Sequence, residues 1–295
     1  MQDLRGKTAF ITGGASGIGF GMAQAFIDAG MNVVIADLRE DHIADATRFF
    51  EERQVRNFKC LKLDVTDREA YARVAEEANA AFGKIHVVCN NAGMGLGGNI
   101  KDTTFDDWDW GIDVLFKGVV NGVITLLPYI LKHGEGGHFV NTSSSAAVLP
   151  GGGIYGSCKS AVLSLSEGMA NDLAKDNIGV TALMPGLIKS NIHQSGRTRP
   201  EKYRRRTKAL EREKRGETRE VSPLWMEAKE CGEIVVQAIR DNQLYVLTHV
   251  EYKPMAEARY AKILDAFPKK EPNPELWADW NRRIAAVDPN APRRS

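Results

Sequence analysis

Tyr155 and Lys159 stand four positions apart in "GGIYGSCKSAVLSLSE", residues 152 to 167, a stretch whose pattern reads as the opening turns of a helix. Helical spacing puts positions i and i+4 on one face, so the phenol and the ammonium are neighbours. A cation beside a tyrosine favours the phenolate and draws its pKa down from about 10 toward working pH. The result is a general base, or in reverse a general acid. The serine run 143 to 145 ends a strand-like segment just upstream and can supply a hydroxyl that orients a substrate oxygen.

Such a pair needs a scaffold. Short β-branched runs recur between helical patterns at 8–13, 32–37, 59–65, 86–93, 138–144, 179–186 and 244–249. Seven strands alternating with helices imply right-handed crossovers and a doubly wound, parallel α/β sheet covered on both faces. Ligands collect at the carboxyl ends of such strands. The first strand runs into "TGGASGIG", residues 12 to 19. There Gly13, Gly17 and Gly19 allow a tight turn and close approach of a pyrophosphate to the helix N-terminus. Asp37 ends the second strand, 18 positions past Gly19, where a carboxylate binds ribose hydroxyls and repels a 2′-phosphate. The expected cofactor is NAD rather than NADP, with Arg39 as the nearby cation that blurs the choice. An oxidised nicotinamide adds a second positive charge in favour of the Tyr155 phenolate.

Composition narrows the partners. The 295 residues carry a formal net charge of +1, so no global field favours nucleic acid or an anionic membrane. Cys60, Cys89, Cys158 and Cys231 lie far apart without a CxxC pair, which suits reduced thiols in a cytoplasmic protein rather than disulfides or a metal site. The N-terminus leads directly into a strand-like run, so no signal peptide is expected. No apolar run is expected to reach the roughly 20 residues that span a bilayer, since "GVVNGVITLLPYIL" is interrupted by Asn121 and Pro128. One domain over 1–268 and a peripheral tail over 269–295 account for the chain. Between strands six and seven lies a charge-dense insertion, 195–220, read either as a solvated flap or, with its flanks over about 193–222, as a substrate lid.

In these features the chain resembles the short-chain dehydrogenase/reductase family over nearly its whole length. The resemblance rests on "TGGASGIG", "LDV" at 63–65, "NNAG" at 90–93, "NTSS" at 141–144, "YGSCK" at 155–159 and "MPGLIKS" at 184–190. It implies a three-layer Rossmann-type fold, a homodimer or homotetramer, and hydride exchange between a nicotinamide and an alcohol or ketone. By the same resemblance, Tyr155 is the acid/base, Lys159 holds the nicotinamide ribose, and Ser144 positions the substrate oxygen, with Ser143 or Ser145 as alternatives. The cofactor set it implies comprises Gly13, Ser16, Gly17, Ile18 and Gly19 of the loop, Asp37, Asp64 and Val65 around adenosine, Asn91 to Gly93, and Pro185, Gly186, Ile188 and Ser190. Many members carry asparagine where this chain has Leu115, so the family's water relay from the lysine is expected to be altered.

A finer resemblance, in "DWDWG", "NIGVTALMPGLIKSNIHQSG", "WMEA" and "LYVLTH", is to the bacterial Cα-dehydrogenases of lignin β-aryl ether breakdown. It implies oxidation of a bulky benzylic alcohol by NAD. Glycines at "GMGLGGN" and "PGGGIYG" leave room for an aromatic ligand or only make turns. Gly95, Ser144, Gly152, Tyr155, Leu187 and His193 are the candidate substrate contacts, with a solvated loop histidine as the alternative for His193. The competing readings are a dehydrogenase of steroid, terpene or other hydrophobic ketones, and a nucleotide-binding protein whose catalysis Leu115 has weakened.

Overall fold

The computed structural model describes residues 1–97, 99–204 and 221–287. Seven strands appear where the apolar runs fall: β1 (Thr8–Thr12), β2 (Asn32–Asp37), β3 (Phe58–Lys62), β4 (Val87–Asn90), β5 (Gly137–Thr142), β6 (Ile178–Met184) and β7 (Tyr245–Leu247). All pair in parallel, in the order β3-β2-β1-β4-β5-β6-β7. The order reverses between β1 and β4, and the crevice outside their carboxyl ends is the expected ligand site.

Alternation along the buried strands feeds two cores. Ala9, Ile11, Val33 and Ile35 meet α1 (Gly17–Asp28), α2 (Glu40–Glu52) and α7 (Ala228–Asp241) on one face. Phe10, Val34 and Ala36 meet α3 (Arg68–Phe82), α5 (Gly118–His133) and α6 (Gly153–Leu173) on the other. This is the three-layer, doubly wound arrangement. Helices α1 and α7 approach backbone to backbone: a Cβ on Gly21 would lie 1.9 Å from the Ala228 carbonyl oxygen, and one on Gly232 would lie 2.4 Å from that of Gly21.

Local chemistry sets several helix ends. Asp67 accepts from the Ala70 amide at 2.9 Å to start α3, which stops at Gly83 with φ +81°. Helix α4 (Phe105–Ile112) begins with a reciprocal cap between Thr104 and Asp107. It continues through a π-helical turn, Asp113–Lys117, into α5. The continuous rod Phe105–His133 contains a window of mean hydropathy 1.8, long and apolar enough to cross a membrane. This corrects the expectation that no segment reaches that length. Asn121 and Pro128 interrupt the apolar sequence without ending the helix, and 44% of the window is buried within the protein, with Val123, Leu126 and Ile130 in the core.

The chain separates into two compact units, 1–256 and 257–295. The second contains most of α8 (Lys253–Asp265) and all of α9 (Pro274–Val287). Among the described residues every cysteine is a free thiol.

Candidate active site

The glycine loop is shaped by close backbone contact. Gly13 (φ +61°) and Gly17 (φ +50°) occupy left-handed backbone, and a Cβ on Gly19 would strike the Gly13 carbonyl oxygen at 2.1 Å. Ser16 caps α1 without a side-chain hydrogen bond, so the helix's first N–H groups stay available for an anion. Asn91 ties this loop to the strand ends: its amide donates to the carbonyls of Thr12 at 3.1 Å and Gly13 at 3.3 Å, and its oxygen accepts from the Thr142 hydroxyl at 3.2 Å.

Asp37 is buried at the end of β2. One carboxylate oxygen accepts from the Ala15 amide at 3.1 Å, and the other from the Arg39 amide at 3.0 Å. The Arg39 guanidinium forms a bidentate pair with Asp41. That pairing raises the Arg39 pKa and holds Asp41 far below the usual carboxylate range. The cation that blurred the cofactor choice is therefore committed to another carboxylate. Asp64 accepts from the Thr66 amide at 2.9 Å and hydroxyl at 2.8 Å, and the Val65 carbonyl accepts from Asn121 at 2.8 Å.

Tyr155 and Lys159 lie in the first turns of α6. The buried Lys159 ammonium donates to the Thr142 carbonyl at 2.7 Å and sits 5.8 Å from the centre of the Tyr155 ring. Burial draws its pKa down to about 8. Burial pushes the Tyr155 phenol up from its ordinary value, and the hydrogen bond from Ser144 opposes that rise. The downward pull expected from the lysine does not appear here: Ser144 supplies the lowering contribution and desolvation exceeds it. The three serines differ in partner: Ser144 meets Tyr155, Ser143 donates its hydroxyl to the Lys159 carbonyl at 2.7 Å, and the Ser145 amide donates to the Pro185 carbonyl at 3.0 Å. A serine hydroxyl, a phenol and a buried ammonium thus converge at one strand end, an arrangement able to hold an alcohol oxygen and move its proton.

These groups open into one cavity of about 640 Å³. It is lined by Gly13, Ser16, Gly17 and Ile18 of the loop, by Asp37, Asp64 and Val65, by Asn91, Ala92, Gly93 and Gly95, and by Ser144, Tyr155 and Lys159. Pro185, Gly186, Leu187, Ile188 and Ser190 complete the opposite wall. Two sequence candidates stand apart. Gly19 packs behind the loop, and Gly152 (φ +114°) makes the turn into α6, its carbonyl accepting from the Gly156 amide at 2.7 Å. The His193 side chain and residues 205–220 of the expected lid lie outside the described residues.

The described part of that insertion, 195–204, is not uniformly exposed. Arg199 and Tyr203 are buried, Tyr203 lines the cavity together with Trp110 of α4, and charge density alone concealed both. Trp225 and Tyr252 also line it. No periodicity pointed to them, because Trp225 is a single aromatic residue in irregular chain and Tyr252 ends a one-turn 3-10 helix. Away from the crevice, His86, His133 and Glu135 gather closely enough to suggest a metal. Their groups are already engaged: His86 accepts from the Thr8 amide, His133 bonds the Ile85 carbonyl, and Glu135 pairs with Lys7 and Lys84.

A parallel doubly wound sheet with a glycine-loop crevice and a Ser-Tyr-Lys cluster defines a nucleotide-dependent oxidoreductase scaffold, and the short chain dehydrogenase profile matches residues 7–201. The chain belongs to the short chain dehydrogenase family. It is 36% identical over 278 residues to the C alpha-dehydrogenase of Sphingobium sp. strain SYK-6, covering 93% of this chain and 91% of that one. The apo structure of LigO from the same strain matches with a TM-score of 0.76 at 35% identity, over 100% of both chains. A short chain dehydrogenase/reductase of Burkholderia phymatum, solved with NAD, matches with a TM-score of 0.83 at 30% identity, over 92% of this chain and 99% of that one.

Proposed function

We propose that this protein is an NAD-dependent dehydrogenase that interconverts a bulky aryl secondary alcohol and its ketone, as in oxidation of the benzylic carbon of a lignin-derived β-aryl ether. The observation that carries the chemistry is the convergence of Ser144, Tyr155 and Lys159 on one wall of the cavity. The resemblance to the C alpha-dehydrogenase supports the substrate class.

The pyrophosphate would rest on the glycine loop and the uncapped N-terminus of α1. Asp37 would accept from the adenosine ribose, and Lys159 from its buried position would donate to the nicotinamide ribose. When bound, the nicotinamide supplies a hydride acceptor for the carbinol carbon. Ser144 donates to the alcohol oxygen and holds it against Tyr155, whose phenolate takes the hydroxyl proton as the ketone forms. In reduction the same phenol returns that proton.

Charge distribution supports a neutral substrate. Among the described lining residues, Asp37, Arg39, His42 and Asp64 follow β2 and β3, on the far side of the sheet from β5. Toward Tyr155 the lining includes apolar Met94, Leu96 and Trp110, and among the described lining residues Lys159 is the one buried cation. Exposed Phe105, Ile124 and Leu131 on α4 and α5 support assembly into a homodimer or homotetramer, because such apolar surface favours association.

The test is production of reduced cofactor with a panel of aryl secondary alcohols, run beside Tyr155→Phe. The parent turns over a bulky benzylic alcohol with NAD, and Tyr155→Phe loses roughly 10²- to 10⁴-fold in rate, the range for a positioned acid/base. Alcohol oxidation that survives Tyr155→Phe, or that requires NADP in place of NAD, overturns the assignment.

A further inference from the structure

Helix α4 presents Asp107 and Trp110 three residues apart, which makes them neighbours, Asp113 opens the π-helical turn that follows, and the chain at 199–204 engages all three. The Asp107 carboxylate divides its work. One oxygen accepts from the Thr104 amide and hydroxyl, both at 2.9 Å, as part of the helix cap, and the other lies 2.7 Å from the Arg199 guanidinium. Side-chain exposure of this ion pair is 0% for Arg199 and 4% for Asp107. The same guanidinium lies over the Trp110 ring, 4.9 Å from its centre, and its Nε donates to the Tyr203 carbonyl at 2.8 Å. Tyr203 donates its hydroxyl to Asp113, which also accepts from Lys117 at 2.7 Å. Trp110 and Tyr203 both face the cavity, whereas Arg199 stands behind them.

Burial of a lone guanidinium costs several kcal/mol, and a paired one often contributes little to stability over apolar residues of equal volume. Its charged, flat head does offer something apolar residues lack: simultaneous contact with a carboxylate through charge, a ring through its face and a carbonyl through the Nε hydrogen bond. We propose that Arg199 is a positioning residue for substrate selection. It fixes Trp110 and Tyr203 as a rigid aromatic wall beside Tyr155, so that bulky aryl alcohols are held and small ones are indifferent to it. The selection role rests on the dehydrogenase reading above.

The test compares the parent, Arg199→Met, and Arg199→Met combined with Asp107→Asn. The double variant leaves no buried unpaired charge, and the asparagine oxygen still accepts from Thr104. In each, KM and kcat are measured for an arylglycerol β-aryl ether and for 1-phenylethanol, together with the KM for NAD. Both variants raise KM for the bulky ether about 10-fold, with kcat, the NAD KM and the constants for 1-phenylethanol within twofold of the parent. Hydrogen exchange at the Tyr203 and Arg204 amides, which now donate to Pro200 and Glu201 at 3.0 Å, rises at least 10-fold. An equal loss on both alcohols marks a merely structural residue and overturns the proposal, as does a shift confined to the NAD KM. If the parent oxidises no alcohol, the dehydrogenase reading has failed, and unchanged exchange in the double variant then overturns the positioning role independently.

Discussion

Lys159 donates its ammonium to the carbonyl of Thr142, the last residue of β5, at 2.7 Å. Burial of this ammonium and of the neighbouring Tyr155 phenol decides how stability and activity depend on pH. Burial raises the Tyr155 phenol, so the phenolate needed for alcohol oxidation increases about tenfold per pH unit below that pKa. Oxidation should climb steadily from pH 7 to pH 9, and ketone reduction, which uses the phenol, should stay flat over the same range. Initial rates in both directions across that range check the sign; a plateau in oxidation already at pH 7 contradicts it.

Stability carries a separate signature of Lys159. Its folded pKa of about 8 lies below the ordinary 10.5, so between those values the unfolded chain binds more protons. Burial of the charged form therefore penalises the fold below pH 8, and the penalty lifts as pH rises toward 10.5. The difference in unfolding free energy between Lys159→Met and the parent should shrink or reverse from pH 8 to pH 10. Urea titrations at the two values measure it.

Cofactor choice turns on Asp37 and on the company Arg39 keeps. The Asp37 carboxylate is fixed by the Ala15 and Arg39 amides, where it opposes a 2′-phosphate, and like charges brought together cost several kcal/mol. Asp37→Ser should move the ratio of kcat/KM for NAD over NADP by about 100-fold toward NADP, since each 1.4 kcal/mol is tenfold. Adding Asp41→Asn releases Arg39 from its pair and should move the ratio further. A double variant no better with NADP than Asp37→Ser alone would show that Arg39 does not reach the phosphate.

The contact of α1 with α7 gives a packing prediction. At Gly21 an alanine methyl would overlap the Ala228 backbone at 1.9 Å, and neither main chain can yield without parting the helices. Overpacking of this kind costs about 3 kcal/mol or more. Gly168, exposed on α6 with nothing within 4 Å of an added Cβ, should instead gain about 0.5–1 kcal/mol on change to alanine, because only backbone entropy is at stake. Denaturant midpoints of the two variants should move in opposite directions.

Legibility followed periodicity. Strands buried on both faces leave short β-branched runs, so all seven were readable, as was the crevice to which "TGGASGIG", Asp37 and Tyr155 point. Ser144 was not separable from Ser143 in sequence, because adjacent hydroxyls differ only in which face of the strand end they take. Arg199 was hidden for a related reason: in a charge-rich stretch, burial depends on a partner, Asp107, 92 positions away (199 − 107). Trp110 carried a visible hint in "DWDWG", but one residue's aromatic character does not say which cavity it faces.

Leu115 sits fully buried in the π-helical turn between α4 and α5. A methyl group on Gly93 would lie 3.5 Å from its Cδ2 and 3.7 Å from the Lys159 ammonium, so leucine, glycine and lysine meet at one point. An asparagine at 115 would bring an amide to this junction, where it can take part in proton exchange. Its cost is a polar group in a pocket shared with Met94, Ile154 and Cys158, about 1–3 kcal/mol where hydrogen bonding is incomplete. Leu115→Asn should therefore lower unfolding stability by that amount and shift the pH profile of oxidation, with the KM for NAD unchanged. Matching pH profiles for variant and parent, with the stability loss present, would mean that the proton leaves Lys159 by a route that does not pass position 115.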